Sequence, residues 1–564
     1  MPKKKNALPH PKTAKQHDKL VRKGTELCNA KNFSEALGYF TRALDYPDYN
    51  PNVLVLMARC LFGLGMKNKA INLMEHALDQ NAENPAICES LGTACLSLEL
   101  NDLAIKFFTL YCQLNPEEPV GYNNLATALR EDGQLDQSIQ LLQDVIPIYP
   151  ECAILWNSLG AGVSFRDGFI ASQPFYEEAY RLDPTIPMFA SNLCFLYANL
   201  GQYQKAHEFA KKTVEIDPNS PTSYRALTEA SYNVGNFDDA FTALEWHNHP
   251  SDPGSVFMPY SIEKWQGQDL KGKTILIGAE QGIGDEILFA SLYPALIREA
   301  DHVIIGCDKR LVPLFRHSFP DATIRPYIRA QHEAGYNIRL YEDIDQSKID
   351  YMCLYTELMR YRWRSIEDIP DMSDGLLTPP ADKVSYWQKK LAGLPHPVNV
   401  GFCWRSGLQQ AKRKMFYAEI EEWLPLLKTE NVNFINLQYG DCAEELKLLE
   451  KHGIKVHNFA ELDLKDDFEG KSALAKNLDL TIGPGTTPVT EAAAAGSLCW
   501  WINFNYRQWW SFGMDDRSPI FMKDRMIIKP PTLDWSEFMS LFAKEEFVPW
   551  VTEKLQEKLK EKTG

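Results

Sequence analysis

A small residue recurs every 34 positions through the first half of the chain, at Ala36, Ala70, Ala104, Ser138, Ser172, Ala206 and Ala240. A register kept over seven units means that each unit is one supersecondary piece, burying its apolar face only against its neighbours. A second track lies twelve residues earlier, at Gly24, Ala58, Gly92, Ala126, Gly160, Cys194 and Thr228. Small side chains at both places let two helices approach closely, with room for a turn between them. Large residues four positions after the first track, Phe40, Met74, Phe108, Leu142 and Tyr176, are expected to wedge against the next unit. Pro116, Pro150, Pro184 and Pro218 then end the second helix of each pair, because proline cannot continue one.

This pattern resembles the tetratricopeptide repeat, and "NFSEALGYFTRALDYP" and "GQYQKAHEFAKKTVEIDP" match it well. The resemblance implies an α-solenoid of seven units over 17–250, the first and last less regular, as capping units are. A stacked helical solenoid has no reaction chemistry of its own. Its concave face holds extended peptides or partner proteins. Asn123, Asn124, Asn157 and Asn192 fall on the first helices, where that face is expected. Amides there could hydrogen-bond an acceptor's backbone, as in the asparagine ladder of repeat-bearing protein O-glycosyltransferases. The ladder is incomplete, and solvated asparagines are the plainer alternative.

At 564 residues the chain exceeds one hydrophobic core, so several domains are expected. A formal charge of −16 argues against a nucleic-acid partner, which would need a basic face. The basic residues of 1–16 lack the apolar core of a signal peptide and read as a flexible tail. No run reaches the roughly 20 apolar residues that a transmembrane helix needs. Twelve cysteines without CxxC or zinc spacing suggest reduced, buried thiols in a cytoplasmic protein.

Beyond 250 the register stops. Proline and glycine in "HNHPSDPGSVFMPYS" mark a linker over 251–271. Strand-sized apolar runs then alternate with helical stretches, first "KTILIGA" and "DHVIIGC". After a further break come "VNVGFCW", "VNFINLQY", "GIKVHNF", "LDLTIGP" and "SLCWWIN". The alternation implies βαβ units with parallel sheets in two Rossmann-like halves, 272–385 and 397–545, followed by a helix over 546–564. Substrates of such a pair bind in the cleft at the carboxyl ends of the strands.

Three turns face that cleft. In "GAEQGIGDEILFA", Gly282 and Gly284 are followed by Ile287 where a dinucleotide fingerprint needs a third glycine, and no P-loop lysine follows. The bare amides of that turn favour anions, while Asp285 could act as a general base or simply cap the helix. In "LTIGPGTTPVTEAAAAG", Gly485, Thr486 and Thr487 offer amides and hydroxyls at a helix start, enough to hold a diphosphate without metal. In "VGFCWRSGLQQAKRKMFY", Arg405 and Ser406 stand at a strand end, and Lys412, Arg413 and Lys414 form a basic cluster. These cations could neutralise a leaving phosphate, or the cluster could be a solvated charge run.

Together the turns resemble the heptosyltransferase superfamily of two-Rossmann (GT-B) glycosyltransferases, in the version fused to tetratricopeptide repeats. "EQGIGDEILFASLYPAL", "VGFCWRSG", "FINLQYGD" and the "SP" at 518–519 that follows "YRQWWSFG" carry the resemblance over about 272–530. It implies an inverting, metal-independent transferase with no cofactor beyond its nucleotide-sugar co-substrate. Asp285 would be the base, with donor contacts from Gly282, Gly284, Trp404, Arg405, Ser406, Arg413, Gln438, Gly485, Thr486 and Thr487. It also implies a protein acceptor on the repeats, flagellin in the similar bacterial enzymes. The family's Asp-Thr-Ala-x-x-His aligns with Gly485 to Thr490, so its acidic residue and histidine are both replaced. That departure keeps two alternatives open, a repeat scaffold with a degenerate transferase module and an enzyme of envelope polysaccharide synthesis.

Overall fold

The computed structural model describes residues 11–46, 52–81, 83–252, 254–332, 336–407, 416–504 and 507–563. The chain divides into two compact units, one up to Phe189 and the other from Ala190. The break falls inside the repeat helix Pro187–Asn199.

Helix pairs build the first unit, from Pro11–Asn29 with Phe33–Leu44 to Ala153–Arg166 with Phe169–Leu182. Residues 11–16 of the expected basic tail open the first helix; 1–10 lie outside the described residues. The two sequence tracks meet within each pair. A Cβ on Gly24 would lie 2.6 Å from the Phe40 ring, one on Gly92 2.7 Å from Phe108, and one on Gly160 3.1 Å from Tyr176. The large residues therefore pack back onto the first helix of their own unit, and they share a core with the next, Phe40 with Val53 and Phe108 with Leu125. Where the earlier track carries alanine, at Ala58 and Ala126, the residue sixteen later is the slimmer Met74 or Leu142. Glycine accompanies an aromatic ring because only a bare backbone leaves space for it. The close crossing also brings Ser138 Oγ within 2.7 Å of the Ala126 carbonyl, to which it donates.

The turn inside each pair repeats as strictly. Lys31, Gly65, Glu99, Gly133, Gly201 and Gly235 all adopt positive φ, between 57° and 84°, at steps of 34 or 68 residues. A left-handed residue lets the chain leave one helix and enter the next. In the fifth unit this position is Asp167, and the left-handed conformation moves one residue on, to Gly168 (φ 87°).

The second unit joins the remaining repeat helices, including Tyr203–Ile216, Pro221–Asn233 and Phe237–Ala243, to two sheets. The first sheet holds β1 (Val256–Phe257), β2 (Glu263–Lys264), β3 (Thr274–Gly278), β4 (His302–Cys307), β5 (Thr323–Gln331), β6 (Asn337–Tyr341) and β7 (Tyr351–Leu354). Their order is β1-β6-β5-β4-β3-β7-β2, parallel except for the β5–β6 pair. The mixed sheet departs from the wholly parallel expectation because β5 and β6 form a hairpin, with His332 N donating to the Tyr336 carbonyl at 2.9 Å. The expected linker supplies both edge strands, β1 beside β6 and β2 beside β7.

The second sheet holds β8 (Val398–Phe402), β9 (Val432–Asn436), β10 (Val456–His457), β11 (Leu480–Gly483), β12 (Cys499–Phe504) and β13 (Arg525–Lys529). It is wholly parallel in the order β10-β9-β8-β11-β12-β13. Counted from β8 this is 3-2-1-4-5-6, the doubly wound arrangement whose switch point lies between β8 and β11. One apolar core runs from Tyr232 and Leu244 of the last repeats, through the first sheet, to Val489, Trp501 and Phe512 of the second half. The aromatic stretch after β12 packs on the last repeat helices of this unit. Phe512 stacks on Phe237 (centroids 5.8 Å apart) and meets Tyr232 edge-on (5.0 Å). All twelve cysteines are free, and every one but Cys152 is buried.

Candidate functional site

The turns after β3, β8 and β11 stand at the carboxyl ends of the strands that flank the switch points, where open α/β sheets place ligands. After β3, Gly282 is the N-cap of the helix Ile283–Phe289, and its N–H donates to Asp285 Oδ2 at 3.2 Å. Asp285 is therefore not the N-cap the sequence allowed but the third helical residue, its side chain reaching back to the N-cap amide, and it is half-buried beside the turn. Burial pushes its carboxyl above the ordinary aspartate value, against the pull of the Gly282 amide and its own. A carboxylate made more basic in this way is better suited to take a proton near neutral pH.

Gly284 faces the other half of the unit. A Cβ there would lie 3.2 Å from Thr487 Oγ1 and 3.6 Å from Thr487 Cα. Thr487 opens the helix Thr487–Ala494, and Thr486 is its N-cap, with no side-chain cap bond. Thr486 Oγ1 instead donates to the Pro484 carbonyl at 3.2 Å. The helix is pinned from behind by a buried ion pair, Lys471 Nζ to Glu491 Oε2 at 3.0 Å, and by Ser472 Oγ donating to Glu491 Oε1 at 2.9 Å. Gly485 is exposed at the turn.

The third turn is built differently from its expectation. The Trp404 ring is 1% exposed and packs on Phe402 inside the second core, so it does not wall the cleft. Arg405 donates through Nε to Glu445 Oε1 (2.7 Å) and through Nη2 to the Asp441 carbonyl (2.8 Å), so its guanidinium is held by protein groups. Gln438 lies beneath, buried, and its Oε1 accepts from the backbone N–H of both Trp404 (3.1 Å) and Arg405 (3.0 Å). Its carboxamide thus sets the shape of the turn. Ser406 is half-buried beside it, and Lys412, Arg413 and Lys414 lie outside the described residues.

In the repeats, Asn123 and Asn157 are buried, 8% and 7% exposed, and Asn124 is half-buried. Ser158 Oγ donates to Asn123 Oδ1, and Asn123 Nδ2 donates to Asn124 Oδ1 at 3.1 Å. Asn192, half-buried on the helix Pro187–Asn199, belongs to the second unit.

Two further carboxylates of the stretch "GAEQGIGDEILFA", Glu280 and Glu286, and groups outside any motif surround the site. Glu280, two residues after β3, is 3% exposed. Its carboxylate accepts from Asn248 Nδ2 (2.9 Å) and from both the amide (3.0 Å) and the hydroxyl of Thr356, and pairs with His247 Nε2 at 2.5 Å. His247, Glu280, Gln281, Arg225, Thr228 and Trp509 line a cavity of about 400 Å³ between the last repeat and the first sheet. Under the helix Ile283–Phe289, Glu286 accepts from the Asp308 amide (2.8 Å) and from Tyr327 Oη (2.9 Å), and burial pushes it up to about 8. On the far side of Gly485, Asn503 and Gln508 line a second cavity. The position of Asn503 at the carboxyl end of an apolar run is the one sequence signal that could have flagged it.

The repeats place this chain in a broad class. Tetratricopeptide-repeat models match residues 29–87 and 121–149. Among individual proteins, the chain is similar to Protein FlbA of Caulobacter vibrioides, 29% identical over 378 residues. The match covers 65% of this chain and 63% of that protein, so the chain spans under two thirds of its relative's length. Among solved structures it is similar to TTC0263, a thermophilic tetratricopeptide-repeat protein of Thermus thermophilus. That match has 22% identity, covers 32% of this chain and 98% of that one, and has a TM-score of 0.27. A tetratricopeptide repeat protein of Parabacteroides merdae matches at 18% identity over 37% of this chain and 82% of its own, with a TM-score of 0.30. No helix among the described residues is long and apolar enough to cross a membrane.

Proposed function

We propose that the chain is a glycosyltransferase, its two sheets forming the halves of a GT-B fold, that moves a sugar from a nucleotide donor to Ser or Thr hydroxyls of a protein held by the repeats. The observation that carries this reading is the apposition of two helix starts, one bearing Asp285 and the other Thr487, through the contact of Gly284 with Thr487. Such an arrangement suits in-line displacement at an anomeric carbon. Asp285 takes the acceptor's proton, while the amides and hydroxyls of 485–487 receive the leaving phosphate. Because the helix start carries that charge, added EDTA is expected to leave turnover unchanged. Flagellin is the acceptor this reading favours, on the resemblance of the chain to flagellin-modifying enzymes.

Intact-protein mass spectrometry of cells with and without the chain tests it. One protein is expected to lose a fixed sugar mass on deletion. Unchanged protein masses together with an altered glycolipid would replace the reading with an envelope polysaccharide transferase. A second reading, a scaffold with a degenerate module, is favoured by the replaced Asp and His and by the occupied Arg405. It predicts no binding to any of a panel of nucleotide sugars in calorimetry.

A further inference from the structure

Asn503, at the carboxyl end of β12, is 2% exposed, yet its Nδ2 has no hydrogen-bond partner among the described residues. Its Oδ1 accepts from Gln508 Nε2 at 3.2 Å, which sets which end of the carboxamide is left over. A buried donor without a partner is unfavourable by about 1–3 kcal/mol, so a ligand atom that accepts from this amide would be favoured there. The residue lines a cavity of about 260 Å³ together with Phe416, Tyr417, Gly485, Phe504 and Gln508. Gly485 borders the cavity, and a Cβ there would stand in ordinary contact with Gln508 Nε2 (3.4 Å) and Asn503 Oδ1 (3.7 Å).

The walls discriminate between ligand classes. Phe416 and Phe504 meet at 88° with centroids 5.2 Å apart, so they present a face and an edge rather than the parallel faces that grip a planar nucleobase. A pyranose ring fits this combination. Its C–H face packs on an aromatic ring, and its hydroxyl or N-acyl oxygens accept from an amide. The cavity also borders Gly485, one residue from the helix start at which the proposed function places the leaving phosphate.

We propose that this cavity is the subsite for the donor's sugar ring, with Asn503 Nδ2 donating to a ring substituent and Gln508 fixing the carboxamide's orientation. The assignment to the donor rests on the glycosyltransferase reading; the binding of a sugar ring does not.

Saturation-transfer NMR on the full chain tests it, with free glucose, N-acetylglucosamine and N-acetylneuraminic acid, and with cytidine and uridine as controls. At least one sugar is expected to receive saturation from the wild type. Its signal should fall about five-fold in N503A, the loss of about one hydrogen bond. It should fall further in G485V, whose side chain enters the cavity beside Asn503, with both variants folded by circular dichroism. No sugar signal from the wild type, equal signals from wild type and N503A, or an Asn503-dependent signal from the nucleosides alone would each overturn the proposal. Asn503-dependent sugar binding by a chain that binds no nucleotide sugar in calorimetry would keep the sugar subsite and remove the transferase reading.

Discussion

Gly284 and Thr487 stand in helices that follow strands of different sheets, yet a Cβ on the glycine would lie 3.2 Å from the threonine hydroxyl. The contact is backbone against side chain, so added bulk on either partner acts directly on the distance between the two helix starts. Gly284→Val is expected to lower stability by about 1–3 kcal/mol through overpacking, and to weaken nucleotide-sugar binding more than Gly284→Ala does. Chemical denaturation and calorimetry on the two variants check both effects. Equal binding by the two would mean that the contact does not shape the site.

Asp285 caps Gly282 and is the proposed base, and two substitutions separate these roles. Asp285→Ala is expected to lose about 1 kcal/mol of stability and about 10²–10⁴ in turnover. Asp285→Asn keeps an oxygen for the Gly282 N–H, so it should recover the stability and not the turnover. Recovery of turnover as well would assign the residue to capping alone.

Gln438 holds two backbone donors with one oxygen. Gln438→Leu leaves the Trp404 and Arg405 amides without that acceptor, at about 1–3 kcal/mol for each buried unpaired group. Gln438→Glu keeps the acceptor but buries a charge and loses the Nε2 donation to the Tyr439 carbonyl (3.0 Å), so it too is expected to destabilise. Urea denaturation midpoints, compared at constant slope, give the order.

The His247–Glu280 pair makes stability depend on pH. Burial works against the charge on His247, but Glu280 beside it outweighs this and holds the imidazole above its ordinary 6.5; Arg225 lowers it and Glu357 raises it by smaller amounts. Burial likewise works against Glu280, but His247, Thr356 and Asn248 together hold it below its ordinary 4.5. The glutamate's contribution is present above pH 4.5 and lost as pH falls through its folded value. The histidine's is present below pH 6.5 and lost as pH rises through its folded value. The pair therefore stabilises most between pH 4.5 and 6.5. Thermal midpoints scanned across pH should show that window in the wild type and a flatter profile in Glu280→Gln, with an overall loss of about 3–5 kcal/mol.

In the repeats, the pairing of glycine with an aromatic ring predicts coupling. Gly92→Ala alone sets a methyl 2.7 Å from the Phe108 ring and should destabilise. Combined with Phe108→Leu, which recreates the Ala126–Leu142 pairing of the next unit, it should cost less than the two single changes summed. A double-mutant cycle measures the difference.

Much of the architecture was legible because its signals are local. The 34-residue register and the long apolar strands each follow from contacts within a few dozen residues, and β3, β4, β8, β9, β10, β11 and β12 lie where their apolar runs predict. The strands that escaped notice, β1, β2, β5, β6, β7 and β13, are short or interrupted by arginine and lysine. What they pair with is decided by residues distant in the chain.

The same division holds at the site. From sequence alone one can place Gly282, Asp285, Gly485 and Thr487 on strand-to-helix turns, since glycine and threonine after an apolar run determine those turns by local sterics and hydrogen bonding. Only the tertiary structure decides that Gly284 meets Thr487, that Glu445 takes Arg405, that Trp404 turns into the core and that Asn503 is left with an unpaired donor. Each of these depends on which elements the fold brings side by side. Periodicity states which face of an element is buried; it does not state which partner buries it.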